Sequence, residues 1–178
     1  MTLPSGTVTF LFTDIEGSTT RWDRHEAAMR PALARHDTLL RESIATHSGQ
    51  IFKMVGDGFY AVFTTAQDAV AAALLAQQKL VAEPWDDDLG GVRVRMAVHT
   101  GAVEMRDGDY YGPAPNRIAR LLSIGHGGQA LLSQPTYELV RDQLPAGADL
   151  RDLDLHRLKD LQRPEHCLLY TSPSPRDS

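Results

Sequence analysis

Apolar residues alternate and then run together over Thr7-Val8-Thr9-Phe10-Leu11-Phe12, the pattern of a central strand buried on both faces, and this strand delivers Asp14 at its C-terminal end. From Ser18 to about His47, Trp22, Met29, Leu33, Leu40 and Ile44 recur at spacings of four and seven, which predicts a helix with one buried stripe. Pro31 is expected to kink that helix or to begin a second one. Residues 50–55 and 59–63 read as two strands around Gly56-Asp57-Gly58, because Asp-Gly between apolar runs is a strong hairpin signal. A hairpin beside the first strand would carry Asp57 toward Asp14.

Ala66 to Val81 is rich in Ala and Leu and predicts a helix covering the sheet. Pro84 to Gly91 reads as a surface loop; its three consecutive carboxylates, Asp86, Asp87 and Asp88, cannot all face one ion. Val92 to His99 alternates as a strand with one wet face. Asp107-Gly108-Asp109 predicts a turn, and Tyr110 to Pro115 leads into a helix starting near Asn116, which places Asn116 and Arg120 on one face. Gln129 to Leu132 is a short strand, Ser133 an expected N-cap for a helix through about Arg141, and strand material resumes after Ala148 to end near Tyr170. This order predicts an α/β (α+β) sandwich: one mixed, mostly antiparallel sheet with helices packed on it.

Length narrows the picture to one well-filled core in 178 residues. A net charge of -5, with Lys and Arg scattered rather than striped, gives no footprint for nucleic acid. One cysteine permits no intrachain disulfide, no apolar run approaches membrane-spanning length and the N-terminus lacks a leader pattern, so a reducing, cytoplasmic setting is expected.

The candidate chemistry begins at Phe12-Thr13-Asp14-Ile15-Glu16-Gly17-Ser18-Thr19, where an acid at a strand end meets the backbone N–H groups of a helix start. Such a corner can hold a hard cation and cradle phosphate, and it can equally be an ordinary turn and cap. Together with Lys53-x-x-Gly56-Asp57-Gly58, His99-Thr100-Gly101 and Asp109-Tyr110-Tyr111-Gly112-x-x-x-Asn116-x-x-x-Arg120, in that order, it resembles the catalytic domain of class III nucleotidyl cyclases in the bacterial adenylyl cyclase branch, from about Thr7 to Leu161.

The resemblance implies the ferredoxin-like sheet of the cyclase homology domain and an adenylyl cyclase that converts ATP to 3′,5′-cyclic AMP and pyrophosphate. It implies that Asp14 and Asp57, with the Ile15 carbonyl, hold two Mg²⁺ or Mn²⁺ ions, and that Gly17, Ser18 and Thr19 present N–H groups to phosphate. Lys53 and Asp109 match the purine-reading pair, the lysine donating to adenine N1 and the carboxylate accepting from its amine; by themselves they read as a wet-face strand residue and a turn former. Asn116 and Arg120 match the residues that orient the ribose and stabilise charge on the α-phosphate, and Lys159 resembles a basic contact to the outer phosphates. His99 shows no metal spacing and reads as a packed histidine.

The same resemblance implies a head-to-tail homodimer with two shared sites, the metal acids from one copy and the Lys/Asp/Asn/Arg set from the other. Two alternatives stand beside it: a non-catalytic nucleotide-binding regulatory module, and a guanylyl cyclase using GTP. Residues 1–166 are expected to form the catalytic domain. The string from Cys167 to Asp177 departs from the family pattern and reads as the translation of a sequencing adapter, so residues 167–178 are expected to be a non-native tail and the natural protein to continue as part of a larger regulatory protein.

Overall fold

The computed structural model describes residues 2–143, 149–157 and 164–171. The chain runs β1 (Gly6–Ile15), α1 (Ser18–Arg24), α2 (Glu26–Thr46), β2 (Gln50–Val55), β3 (Gly58–Phe63), α3 (Ala66–Ala82), β4 (Val94–Arg106), β5 (Asp109–Tyr111), α4 (Pro113–Ser123), β6 (Ala130–Ser133), α5 (Gln134–Val140), β7 (Asp149–Arg157) and β8 (Pro164–Thr171). The sheet has the strand order β2-β3-β1-β4-β6-β8-β7, with β5 folded back on the far half of β4. β4 and β6 pair in parallel and the other described pairs are antiparallel, which is the mixed, mostly antiparallel sheet expected.

Alternation along β1 sorts its side chains between two cores. Leu11 and Ile15 face a core closed by α2, α3 and α5, while Val8, Phe10 and Phe12 face a second one closed by α4. α3 lies close to the sheet because Ala69, Ala72, Ala73 and Ala76, fully buried, present no bulk beyond a methyl group. Its first turn is capped by Thr65, whose hydroxyl accepts from Asp68 N at 3.2 Å. Aromatic rings fill the α4 side: Phe12 stacks on its cross-strand partner Tyr60 at 3.7 Å between centroids, and Phe10 meets Phe52 and Tyr110 at 5.6 and 5.2 Å.

Three expectations are corrected. The long first helix breaks at His25 (φ -137°, ψ 46°), not at Pro31, which lies inside α2. His25 N closes α1 on Arg21 O and His25 O opens α2 to Ala28 N and Met29 N, so His25 serves both helices, whereas Pro31 removes a single N–H from a helix that continues to Thr46. The strand expected at 92–99 with one wet face is instead the central β4, continuing to Arg106 and buried on both faces from Met96 to Thr100, because α4 packs over the side expected to be solvated. α4 itself starts at Pro113, in the first-turn position that suits a residue without an N–H, so Asn116 lies a full turn inside it.

Lys159 lies outside the described residues. The expected boundary between residues 166 and 167 falls within β8, where Cys167 pairs with Ser133 and Tyr170 with Ala130. Among the described residues no helix is long and apolar enough to cross a membrane.

Candidate active site

The corner at the end of β1 is assembled by register. In the β1–β4 ladder Asp14 lies directly opposite Arg95, and both side chains emerge on the face that carries Phe10, Phe12 and Ala97. Arg95 meets the Asp14 carboxylate with a two-pronged fork: Nε donates to Oδ1 at 2.7 Å and Nη2 donates to Oδ2. The hydrogen bond to Asp14 raises the Arg95 guanidinium above its ordinary pKa, and the charges of Asp14, Glu16 and Asp57 add to it while partial burial opposes it.

Asp57, in the β2–β3 turn, reaches the same corner and accepts from Ile15 N at 3.1 Å. The approach depends on its neighbour, Gly58: a Cβ there would stand 2.3 Å from the Thr13 carbonyl oxygen. Phe59 N donates to Thr13 Oγ1 at 3.1 Å, so the hairpin is clamped to β1 on both sides of the contact.

Gly17 begins α1 in the left-handed region (φ 68°) with no side-chain cap, leaving the N–H groups of the first turn without a capping side chain. The turn is anchored from behind by Glu16 N, which donates to Arg93 O at 2.9 Å, and by Arg21, whose guanidinium donates to Gly91 O.

Lys53 and Asp109 are 56 positions apart and meet: Nζ donates to Oδ2 at 3.0 Å, while Tyr110 N donates to Oδ1 at 2.7 Å. Their hydrogen bond holds the Lys53 ammonium above its ordinary pKa and the Asp109 carboxyl below its own. Asn116 and Arg120 share one face of α4 and line a concavity of about 300 Å³ with Ala119 and Ser123. His99 is buried in the middle of β4, packed as expected although not at a strand end. Among the described residues, no hydrogen bond joins Asp14 or Asp57 to Lys53, Asp109 or Asn116.

Two residues of this site escaped the sequence reading. Arg95 was hidden in an alternating strand, and only the β1–β4 register sets it against Asp14. Tyr60, the cross-strand partner of Lys53, stacks on Phe12; burial raises its phenol pKa, the charge of Lys53 lowers it and that of Asp14 adds to the rise.

The model of the adenylate and guanylate cyclase catalytic domain matches residues 2–160. The chain belongs to that family. A solved Trypanosoma brucei adenylate cyclase, described in its monomeric state, superposes with a TM-score of 0.87 at 25% identity and covers 100% of this chain and 94% of its own. An uncharacterized protein of Mycobacterium tuberculosis is 42% identical over 176 residues, 98% of this chain and 59% of its own length. The adenylate cyclase of Schizosaccharomyces pombe is 31% identical over 154 residues, 73% of this chain and 9% of its own. The chain thus spans about three-fifths of the mycobacterial relative and a small part of the fungal enzyme.

The residues at the β1 corner fit the divalent cations that the family implies. Their donors are oxygens only, and Asp14, Glu16 and Asp57 already gather around one positive charge, that of Arg95. Among the described residues no group of three or more His, Cys, Asp and Glu side chains is placed to hold a metal ion; Asp14, Asp57 and the Ile15 carbonyl are the donor set that the family resemblance implies.

Proposed function

We propose that this cyclase domain converts ATP to 3′,5′-cyclic AMP and pyrophosphate in a homodimer whose sites are shared between copies. The observation that carries the choice of ATP is the Lys53–Asp109 pair, a donor and an acceptor brought together from β2 and β5. Adenine offers N1 as an acceptor beside an amine donor, which this pair complements, and guanine presents the reverse.

Asp14 and Asp57 would hold the divalent cations, with the Ile15 carbonyl as a further ligand. When bound, such cations lower the pKa of the ribose 3′-hydroxyl and neutralise the triphosphate. The Gly17-Ser18-Thr19 turn presents N–H groups to phosphate oxygens. Asn116 orients the ribose so that its 3′-oxygen lies in line with the α-phosphorus. The 3′-oxygen forms its bond to that phosphorus as the bond to the bridging oxygen breaks; pyrophosphate leaves with the electron pair and the hydroxyl proton passes to solvent. Arg120, permanently protonated, stabilises the negative charge that builds on the α-phosphate. Lys159 is assigned to the outer phosphates. Because the mycobacterial relative is longer than this chain, we also propose that the domain acts within a larger regulatory protein.

The test is direct. Purified protein with Mn²⁺ is given ATP or GTP and cyclic products are separated by chromatography. Cyclic AMP from ATP in excess supports the reading, cyclic GMP from GTP in excess replaces it with a guanylyl cyclase, and no cyclic product at dimer-forming concentrations leaves a nucleotide-binding regulatory module.

A further inference from the structure

We propose that Arg95 is a built-in counter-ion that sets the divalent-cation affinity of the Asp14 corner, occupying the carboxylate until a cation displaces it. The proposal rests on the reading of Asp14 and Asp57 as metal ligands. Both Asp14 oxygens are engaged, Oδ1 by Arg95 Nε at 2.7 Å and Oδ2 by Nη2, and Asp57 Oδ1 is engaged by Ile15 N at 3.1 Å. A cation arriving at Asp14 therefore meets a carboxylate whose two oxygens each already accept from the Arg95 guanidinium. The two positive charges repel, and Arg95 cannot yield by losing a proton, so it competes with the cation for the carboxylate.

The fold keeps the competitor in place. Asp14 and Arg95 are direct partners in a ladder of ten residue pairs from Gly6↔Val103 to Ile15↔Val94, so the guanidinium is tethered opposite the acid at high effective concentration. Its charge answers three carboxylates, Asp14, Glu16 and Asp57, reducing the formal charge of the corner from three negative to two. The ladder itself is backbone-bonded and does not depend on this side-chain pair. Loss of the Arg95 fork should therefore change cation affinity far more than stability, since a partly exposed ion pair contributes little to folding.

The experiment is calorimetric titration of the nucleotide-free protein with Mn²⁺, on the unmodified chain and on Arg95→Gln, Arg95→Lys and Asp14→Ala, with thermal melts alongside. Arg95→Gln should bind Mn²⁺ roughly twofold to fivefold more tightly, the size expected when a partly exposed ion pair no longer competes. Arg95→Lys, which keeps the charge and loses the fork, should fall between the two and guards against a variant that fails to fold. A second reading needs no variant: the Arg95 Nε–H resonance, protected by Asp14, should move and exchange faster when Mg²⁺ is added. Unchanged or weaker Mn²⁺ binding by both Arg95 variants, with binding still abolished by Asp14→Ala, overturns the counter-ion role and leaves the metal reading standing. Mn²⁺ binding that survives Asp14→Ala overturns the metal reading itself, and the counter-ion role falls with it.

Discussion

His99 Nδ1 and Ser133 Oγ are 2.6 Å apart inside the sheet, joining β4 to the parallel strand β6, and both residues are buried. The contact opens a chain of hydroxyls: Ser133 to Thr136 at 3.2 Å, Thr136 to Thr100 at 3.0 Å and Thr100 to Thr9 at 2.9 Å. Thr136 donates its one hydrogen to Val98 O, so Ser133 and Thr100 must donate to Thr136, Thr9 to Thr100, and His99 to Ser133 from a protonated Nδ1. The network thereby sets the hydrogen of a neutral His99 on Nδ1.

A pH dependence of stability follows. Burial, and to a smaller degree the charge of Arg117, pushes the His99 imidazole down from 6.5 to about 4. Above pH 6.5 the ring is neutral in both folded and unfolded chains and costs nothing. As pH falls from 6.5 toward 4 the unfolded chain takes up a proton that the folded chain refuses, so stability declines, by about 2 kcal/mol at pH 5 and levelling near 3 kcal/mol below pH 4. His36, also buried and shifted downward by burial, acts in the same direction. Urea midpoints should drop between pH 7.5 and 5, and His99→Asn should shrink the drop. A slope unchanged by that substitution would show that His99 is already protonated in the fold.

Base choice should follow the Lys53–Asp109 pair. Lys53→Glu with Asp109→Cys exchanges the donor for an acceptor and removes the old acceptor, which should lower turnover of ATP relative to GTP by 10-fold or more, the size of one or two misplaced hydrogen bonds. The ratio of kcat/KM for the two nucleotides checks it. An unchanged ratio would move base recognition to other residues.

The turn that carries Asp57 depends on the missing side chain of Gly58. Gly58→Ala forces a Cβ against the Thr13 carbonyl, 2.3 Å away in the present geometry, and the hairpin must draw back from β1. We expect a loss of roughly 1–3 kcal/mol, typical of overpacking, and weaker Mn²⁺ binding as Asp57 leaves Ile15 N. Thermal melts and calorimetry together test this; a melt shift with unaltered Mn²⁺ affinity would separate the turn from the metal corner.

How much of this was legible in the chain depended on whether the information is local. Strand β1, the Asp57 hairpin and α3 declare themselves by alternation, Asp-Gly and alanine content, and spaced motifs led to Lys53, Asp109, Asn116 and Arg120. What required the folded sheet was lateral. Arg95 gains its partner only from the β1–β4 register, and β4 is buried on both faces only because a helix that follows it folds back over it. Ser133 stands at the start of α5 as its type suggests, yet its hydroxyl is drawn to His99 and makes no cap. A hydroxyl between a cap and a buried imidazole takes the contact that leaves no buried group unsatisfied, and sequence does not show the imidazole.

Shared sites can be tested by mixing. Asp14 and Asp57 belong to the β1 corner, whereas Asn116 and Arg120 look out from α4 into their own concavity, and the hydrogen bonds of the one set do not reach Lys53, Asp109 or Asn116. If a site takes its metal acids from one copy and its α4 residues from the other, an Asp14→Ala chain and an Arg120→Ala chain should each be nearly inactive alone. Mixed in equal amounts, random pairing makes half of the dimers heterodimers, each with one intact site of two, so about a quarter of the unmodified activity should return. Cyclic AMP production over a range of mixing ratios should peak at equal amounts. Activity no higher than the sum of the two separate variants, under conditions where both dimerise, would place each complete site within a single chain.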